Sequence, residues 1–212
     1  MNNIEEIKTE VAYYMRRLYE KGLTSCSGGN ISVKVNENTF IITPSGKDKG
    51  MLESADICIC DAEGKPLNLE ARLSMETFMH LAIYKKRQDV NAIVHAHPPY
   101  STAYAVCGKA PETSLSGEMH ALLGKPVLSD YACMGSAELA EHTAKAASNT
   151  NVILLKNHGA ITLAENLFQA YNRMEVLESA AKVSFISGLI GTTHNLSPEQ
   201  LKEIETVFER FS

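Results

Sequence analysis

Apolar residues recur at helical spacing over residues 4–21, where Ile4, Ile7, Val11, Tyr14, Met15, Leu18 and Tyr19 share one face and Gly22 ends the run. That pattern predicts an N-terminal amphipathic helix. The period then shortens. Residues 31–35, 39–43 and 57–61 read as short strands, separated by turn residues such as Asn36, Asn38, Gly46 and the Ala62-Glu63-Gly64-Lys65 turn. Residues 74–86 return to helix, with Met75, Phe78, Met79, Ala82 and Ile83 as the apolar stripe; residues 92–97 read as a strand and 101–106 as a further helix. Residues 107–135 are rich in Gly, Pro and Ser and read as a loop region near a site. Beyond them come a helix at 138–147, two strand runs within 152–163 broken at Asn157-His158-Gly159, and a long apolar-striped helix at 167–188. Ser197-Pro198-Glu199-Gln200 opens a final helix reaching Phe211, with serine as N-cap, proline at N1 and glutamine at N3.

Strands that come in groups, without strict βαβ alternation, predict an α+β fold in which helices flank a central, mostly antiparallel sheet. Length and composition add that residues 1–212 form a single domain, since 44% hydrophobic and 21% charged residues are ordinary for a globular core. The 20 Lys and Arg against 25 Asp and Glu leave a net charge of −5 with no basic block, which argues against a nucleic-acid partner. The start at Met1-Asn2-Asn3-Ile4-Glu5-Glu6 lacks the basic and apolar regions of a secretory signal, and no apolar run reaches membrane-spanning length. A cytoplasmic protein without a membrane partner is expected. The five cysteines make an odd count and are expected to be free thiols; Cys58-Ile59-Cys60 reads as strand packing, because structural zinc sites favour wider spacing.

Side chains alternate faces along a strand, so His95 and His97 point the same way from the 92–97 run. On spacing alone they are equally a hydrogen-bonded pair and two metal ligands. His158, at the end of the apolar run before Asn157, would complete a three-ligand set with an open coordination position, the arrangement a catalytic zinc site needs. Ser25-Cys26-Ser27-Gly28-Gly29-Asn30 and Thr43-Pro44-Ser45-Gly46-Lys47-Asp48-Lys49 are small, polar, Gly-containing loops able to cradle an anion, the second with positive charge from Lys47 and Lys49. Each alone also reads as a plain turn. Glu76 reads as a first-turn carboxylate near Ser74, and Glu118 as a second carboxylate in the 107–135 region. His80, His142 and His194 read as surface or structural histidines, and His120 lies outside any ligand pattern.

Together these segments resemble the class II aldolase/adducin family from the first helix to about Gly191. The family's ordered signatures stand here as Ser27-Gly28-Gly29-Asn30-Ile31-Ser32, Ile42-Thr43-Pro44-Ser45-Gly46, Ser74-Met75-Glu76, His95-Ala96-His97 and Lys156-Asn157-His158-Gly159. The chain looks most like the family's L-fuculose-1-phosphate aldolase branch. That resemblance implies one Zn²⁺ per subunit on His95, His97 and His158, with Glu76 as acid/base. It also implies a phosphate held by Ser27, Gly29, Asn30, Ser45, Gly46 and Ser74, and a small-molecule sugar phosphate cleaved to dihydroxyacetone phosphate and an aldehyde. It implies a homotetramer with active sites between subunits. Two departures bear on specificity: Met75 stands where the family has a second serine, and the tyrosine that protonates the leaving aldehyde has no counterpart, leaving Glu118 as the loop acid/base. Ser45-Gly46-Lys47-Asp48-Lys49-Gly50 and Gly117-Glu118-Met119 are also similar to the methylthioribulose-1-phosphate dehydratase branch, and a sugar-phosphate decarboxylase is a further alternative. An adducin-like structural module would need none of the three histidines nor Glu76.

Overall fold

The computed structural model describes residues 4–68 and 72–210. Its elements run α1 (Ile4–Glu20), β1 (Asn30–Asn36), β2 (Thr39–Ile42), β3 (Cys58–Cys60), α2 (Thr77–Lys86), β4 (Ala92–Ala96), α3 (Pro99–Val106), α4 (Gly117–Leu123), β5 (Val127–Ser129), α5 (Ala137–Ala147), β6 (Val152–Leu155), β7 (Gly159–Ala164), α6 (Leu167–Ile190) and α7 (Pro198–Phe208). The strands form one seven-stranded sheet in the order β3-β2-β1-β4-β7-β6-β5, antiparallel at every pairing except β5 with β6. The expected α+β architecture is therefore the observed one.

Alternation along the strands sorts side chains into two cores. Ile31, Ile41, Val94, Val152, Leu154 and Ala160 face a cluster built with α1, α3 and α6, including Val11, Met15, Leu18, Met174 and Leu177. Phe40, Ile42, Cys58, Cys60, Ile93, Ile153, Ile161 and Leu163 face the other way, onto Met79, Ile83 and Tyr84 of α2 and Leu139 and Ala140 of α5. Both faces of the sheet are thus covered, and central strand β4 is buried at all five positions, which is why its sequence apart from His95 is apolar on both faces.

Four expectations need correction. Helix α2 begins at Thr77 rather than at residue 74; Ser74 to Glu76 form the turn before it, where the Ser74 hydroxyl accepts the Glu76 N–H at 3.3 Å and Glu76 is itself the N-cap residue. The buried face of α2 carries Thr77, Met79, His80, Ile83 and Tyr84, while Met75 and Phe78 are exposed, because the sheet lies against the 76/80/83/84 face. The 107–135 region holds α4 and β5 instead of a continuous loop. Finally, α7 closes at Phe208, and Phe211 lies outside the described residues. The serine-glutamine capping box at Ser197 and Gln200 is formed as the sequence predicts. The five cysteines are free, with Cys58 and Cys60 buried in β3. Among the described residues no helix is long and apolar enough to cross a membrane.

Candidate metal centre

Three elements bring the histidines to one end of the sheet. His95 is fully buried on β4, and His97 follows the strand's last residue, with its N–H donating to the Leu23 carbonyl at 3.0 Å. β7 pairs antiparallel with β4 so that Ala160 opposes Ala96, and the tight β6–β7 turn ahead of it carries His158. That turn needs Gly159: a Cβ there would sit 2.4 Å from the Ala96 carbonyl oxygen and 2.6 Å from the His97 ring. The residue before His158, Asn157, takes the left-handed conformation at φ 56°, a region asparagine tolerates better than most side chains.

The three rings converge. Their ligand-capable nitrogens all lie within 4.8 Å of one another, and Nε2 of His95 and Nε2 of His97 are 3.2 Å apart. A tetrahedral ion with Zn–N bonds of about 2.0–2.1 Å has edges of roughly 3.3 Å between ligand atoms, so this spacing fits a shared cation. The His95 Nδ1–H donates to the Ala160 carbonyl at 3.0 Å, which fixes the tautomer and leaves the Nε2 lone pair facing inward. The donor set therefore fits a three-imidazole metal site.

Glu76 closes the arrangement. Its Oε2 lies 3.2 Å from His95 Nε2 and accepts a hydrogen bond from Asn30 Nδ2 at 2.8 Å, and its Oε1 lies 3.2 Å from His158 Nε2. Burial alone would raise the pKa of this carboxyl, but the charge and hydrogen bond of His95, then His158 and Asn30, hold it well below the usual range. Burial would likewise lower His95, yet its pairing with Glu76 raises it. Burial and the charge on His95 depress His97 to about 3 and His158 to about 4. Two imidazoles, His97 and His158, are thus neutral at pH 7 and ready to ligate.

The site opens into a cavity of about 530 Å³. Its wall includes Ser27, Gly29, Asn30, Ser45, Gly46 and Ser74 together with Glu76, His97 and His158, and His95 lies behind them. The first loop reaches the rim of β4 because Gly29 adopts φ 66°, where a Cβ would meet the His95 carbonyl oxygen at 2.7 Å. Glu118 is not brought here. It is exposed on α4 and lines a separate groove against Glu203, Ile204 and Val207 of α7. His120 pairs with Glu205 at 2.8 Å, His142 lies 4.0 Å from Glu138, and His194 is exposed. His80 is buried and structural, bonded through Nδ1 to the Ser32 hydroxyl at 2.6 Å. The wall also holds Lys49, from the loop the sequence marks as an anion cradle, and Met134 and Asn157, which sequence reasoning gave no role in the cavity. For Lys49 the signal was the charge of its loop.

Fold and site together define an α+β enzyme with three convergent histidines able to hold a metal ion, a buried carboxylate beside them, and two Gly/Ser loops in the same cavity. The Class II Aldolase and Adducin N-terminal domain profile matches residues 9–185, and the chain belongs to this family as one of its lyases. It is 39% identical to an L-fuculose phosphate aldolase of Methanococcus maripaludis, over 82% of this chain and 93% of that protein. It is 30% identical to a 5-deoxy-D-ribulose 1-phosphate aldolase of Bacillus thuringiensis, over 98% of each. A solved L-fuculose 1-phosphate aldolase superposes with a TM-score of 0.88 at 34% identity, covering 96% of both chains.

Proposed function

We propose that the protein is a zinc-dependent aldolase that cleaves L-fuculose 1-phosphate, or a similar deoxy-ketose 1-phosphate, to dihydroxyacetone phosphate and an aldehyde. The observation that carries this reading is the position of Glu76, 3.2 Å from two of the three convergent imidazoles and in one cavity with both anion-type loops. His95, His97 and His158 would hold the ion, which would supply Lewis acidity to the ketose oxygens and so favour negative charge on the phosphate-bearing fragment. The cleavage leaves the C3–C4 electron pair on the phosphate-bearing fragment, and C3 must then gain a proton. Glu76, 3.2 Å from two of the imidazoles, takes a proton from solvent and passes it to C3. Asn30 orients it by donating to Oε2.

Ser27, Gly29, Asn30, Ser45, Gly46 and Ser74 bind the phosphate, so that binding energy far from the reacting carbons fixes their orientation. Glu118, exposed on α4, serves as acid/base for the C4 hydroxyl only across a subunit boundary. A homotetramer with intersubunit sites is part of this reading, and exposed Phe185, Leu189 and Ile190 at the end of α6 support association. The reading places the enzyme in the cytoplasm.

The test is incubation of metal-loaded protein with L-fuculose 1-phosphate, 5-deoxyribulose 1-phosphate and methylthioribulose 1-phosphate, with product identification. Dihydroxyacetone phosphate from either of the first two supports the aldolase. A dehydrated diketone from the third, with no dihydroxyacetone phosphate from any, would replace it with a dehydratase.

A further inference from the structure

Lys49 stands in the cavity wall, and the six residues proposed to bind the phosphate do not include it. Its side chain is 2% exposed, and its ammonium donates to the Pro44 carbonyl oxygen. Its backbone N–H donates to the Cys26 carbonyl at 2.8 Å, so the residue joins the two Gly/Ser loops. An ammonium has three donors, and here the described residues show a hydrogen bond for one. Among the described residues no carboxylate lies within ion-pair distance of it. Lys47, two positions earlier in the same loop, behaves in the ordinary way: it is 60% exposed and pairs with Asp56 at 3.1 Å.

A buried ammonium without a counter-charge is destabilising, and burial pulls the Lys49 pKa down. The neighbouring Cys58 thiol offers no relief, since burial pushes its pKa up to about 11 and leaves it neutral. Lys49 lines the cavity beside both Gly/Ser loops, where a bound anion would supply a negative charge. A phosphate ester carries that charge as a dianion with several acceptor oxygens.

We infer that Lys49 is a specificity-determining residue, a buried cation that makes the cavity select a dianionic phosphate ester over the unphosphorylated sugar. The inference rests on the reading that the cavity takes a phosphorylated ketose. On it, the loop hydroxyls and N–H groups shape the pocket, and Lys49 supplies the full positive charge they lack.

The test is calorimetric binding of inorganic phosphate to the metal-loaded protein, comparing wild type with Lys49→Gln and Lys49→Arg. Glutamine keeps a donor for the Pro44 carbonyl and removes the charge; arginine keeps the charge. Phosphate binding roughly 10- to 100-fold weaker in Lys49→Gln, with Lys49→Arg retaining most of it, is the expected result. Equal binding by Lys49→Gln and wild type overturns the role of Lys49 and leaves the phosphate pocket standing. Absence of phosphate binding by wild type overturns both. Lys49-dependent binding in a protein that cleaves none of the ketose phosphates upholds this inference and refutes the aldolase reading. Should Lys49→Gln not fold, the Nζ resonance of Lys49 in ¹⁵N-lysine-labelled wild type must shift on phosphate addition, and an unmoved resonance overturns the inference.

Discussion

Two histidine sites share the layer between the sheet and α2, and they use the same side chain for opposite ends. His95 and His80 are both buried. His95 directs Nδ1 to the Ala160 carbonyl and turns Nε2 toward His97 and Glu76. His80 directs Nδ1 to Ser32, whose hydroxyl lies 2.8 Å from that of Tyr84, and its Nε2 has no hydrogen-bond partner among the described residues. Burial therefore does not make a histidine a ligand. What does is a second nitrogen aimed where other ligands converge, and among the described residues a strand end meeting a tight turn supplies that convergence.

The largest effect expected from this contrast is loss of metal. His97→Ala should purify without stoichiometric metal and without measurable cleavage, whereas His80→Asn should keep about one ion per chain, as read by inductively coupled plasma mass spectrometry. Metal loss in both variants would mean that the two sites are not separate in function. Next in size is Glu76→Gln, which should retain the ion but lower kcat roughly 10²- to 10⁴-fold and slow proton exchange into dihydroxyacetone phosphate. Unchanged exchange would move the proton-transfer role to another group.

A smaller effect separates the sites by pH. Burial first, and the charge of His95 second, lower the pKa of His80 from 6.5 to about 3. Between those values the unfolded chain binds a proton that the folded chain excludes, so stability rises with pH. The contribution is whole above about pH 6.5 and is lost as pH falls toward 3, with a limiting slope of about 1.4 kcal/mol per pH unit for one such group. Urea denaturation across this range should show a slope in wild type that falls by up to this amount in His80→Asn. Smallest is Ser32→Ala, which leaves the His80 Nδ1 and the Tyr84 hydroxyl without their shared partner and should cost about 1–3 kcal/mol of stability with metal content unchanged.

Much of this was legible in the chain. The i, i+2 pair at His95 and His97 fixed a shared face, and the break at Asn157-His158-Gly159 marked a turn between strands, so the triad needed only the β4–β7 pairing to close it. The family resemblance turned that pair from an open choice into a metal site. The cavity position of the six loop residues followed the same signatures. Other features were hidden for physical reasons. β5 has three residues, too few for alternation to show, and α4 is two turns long, although Ser116 as N-cap and Gly124 at its end were available as signals. Glu118 reads from the sequence as the carboxylate left where the family's tyrosine has no counterpart; that α4 sets it in a groove beside α7 is a matter of tertiary packing. Lys49 was the hardest to foresee, since lysine is almost never fully buried and only tertiary packing tells it apart from Lys47. The stripe on α2 misled because Met75 and Phe78 are as apolar as the residues that face the sheet, and periodicity cannot choose between adjacent faces.

The most direct measurement is X-ray absorption at the edge of the metal bound to the purified protein. Three nitrogen ligands with the imidazole scattering signature, at about 2.0–2.1 Å for zinc, are predicted. A shell dominated by sulfur at about 2.3 Å, or a protein that folds fully and holds no metal, would contradict the three-histidine centre.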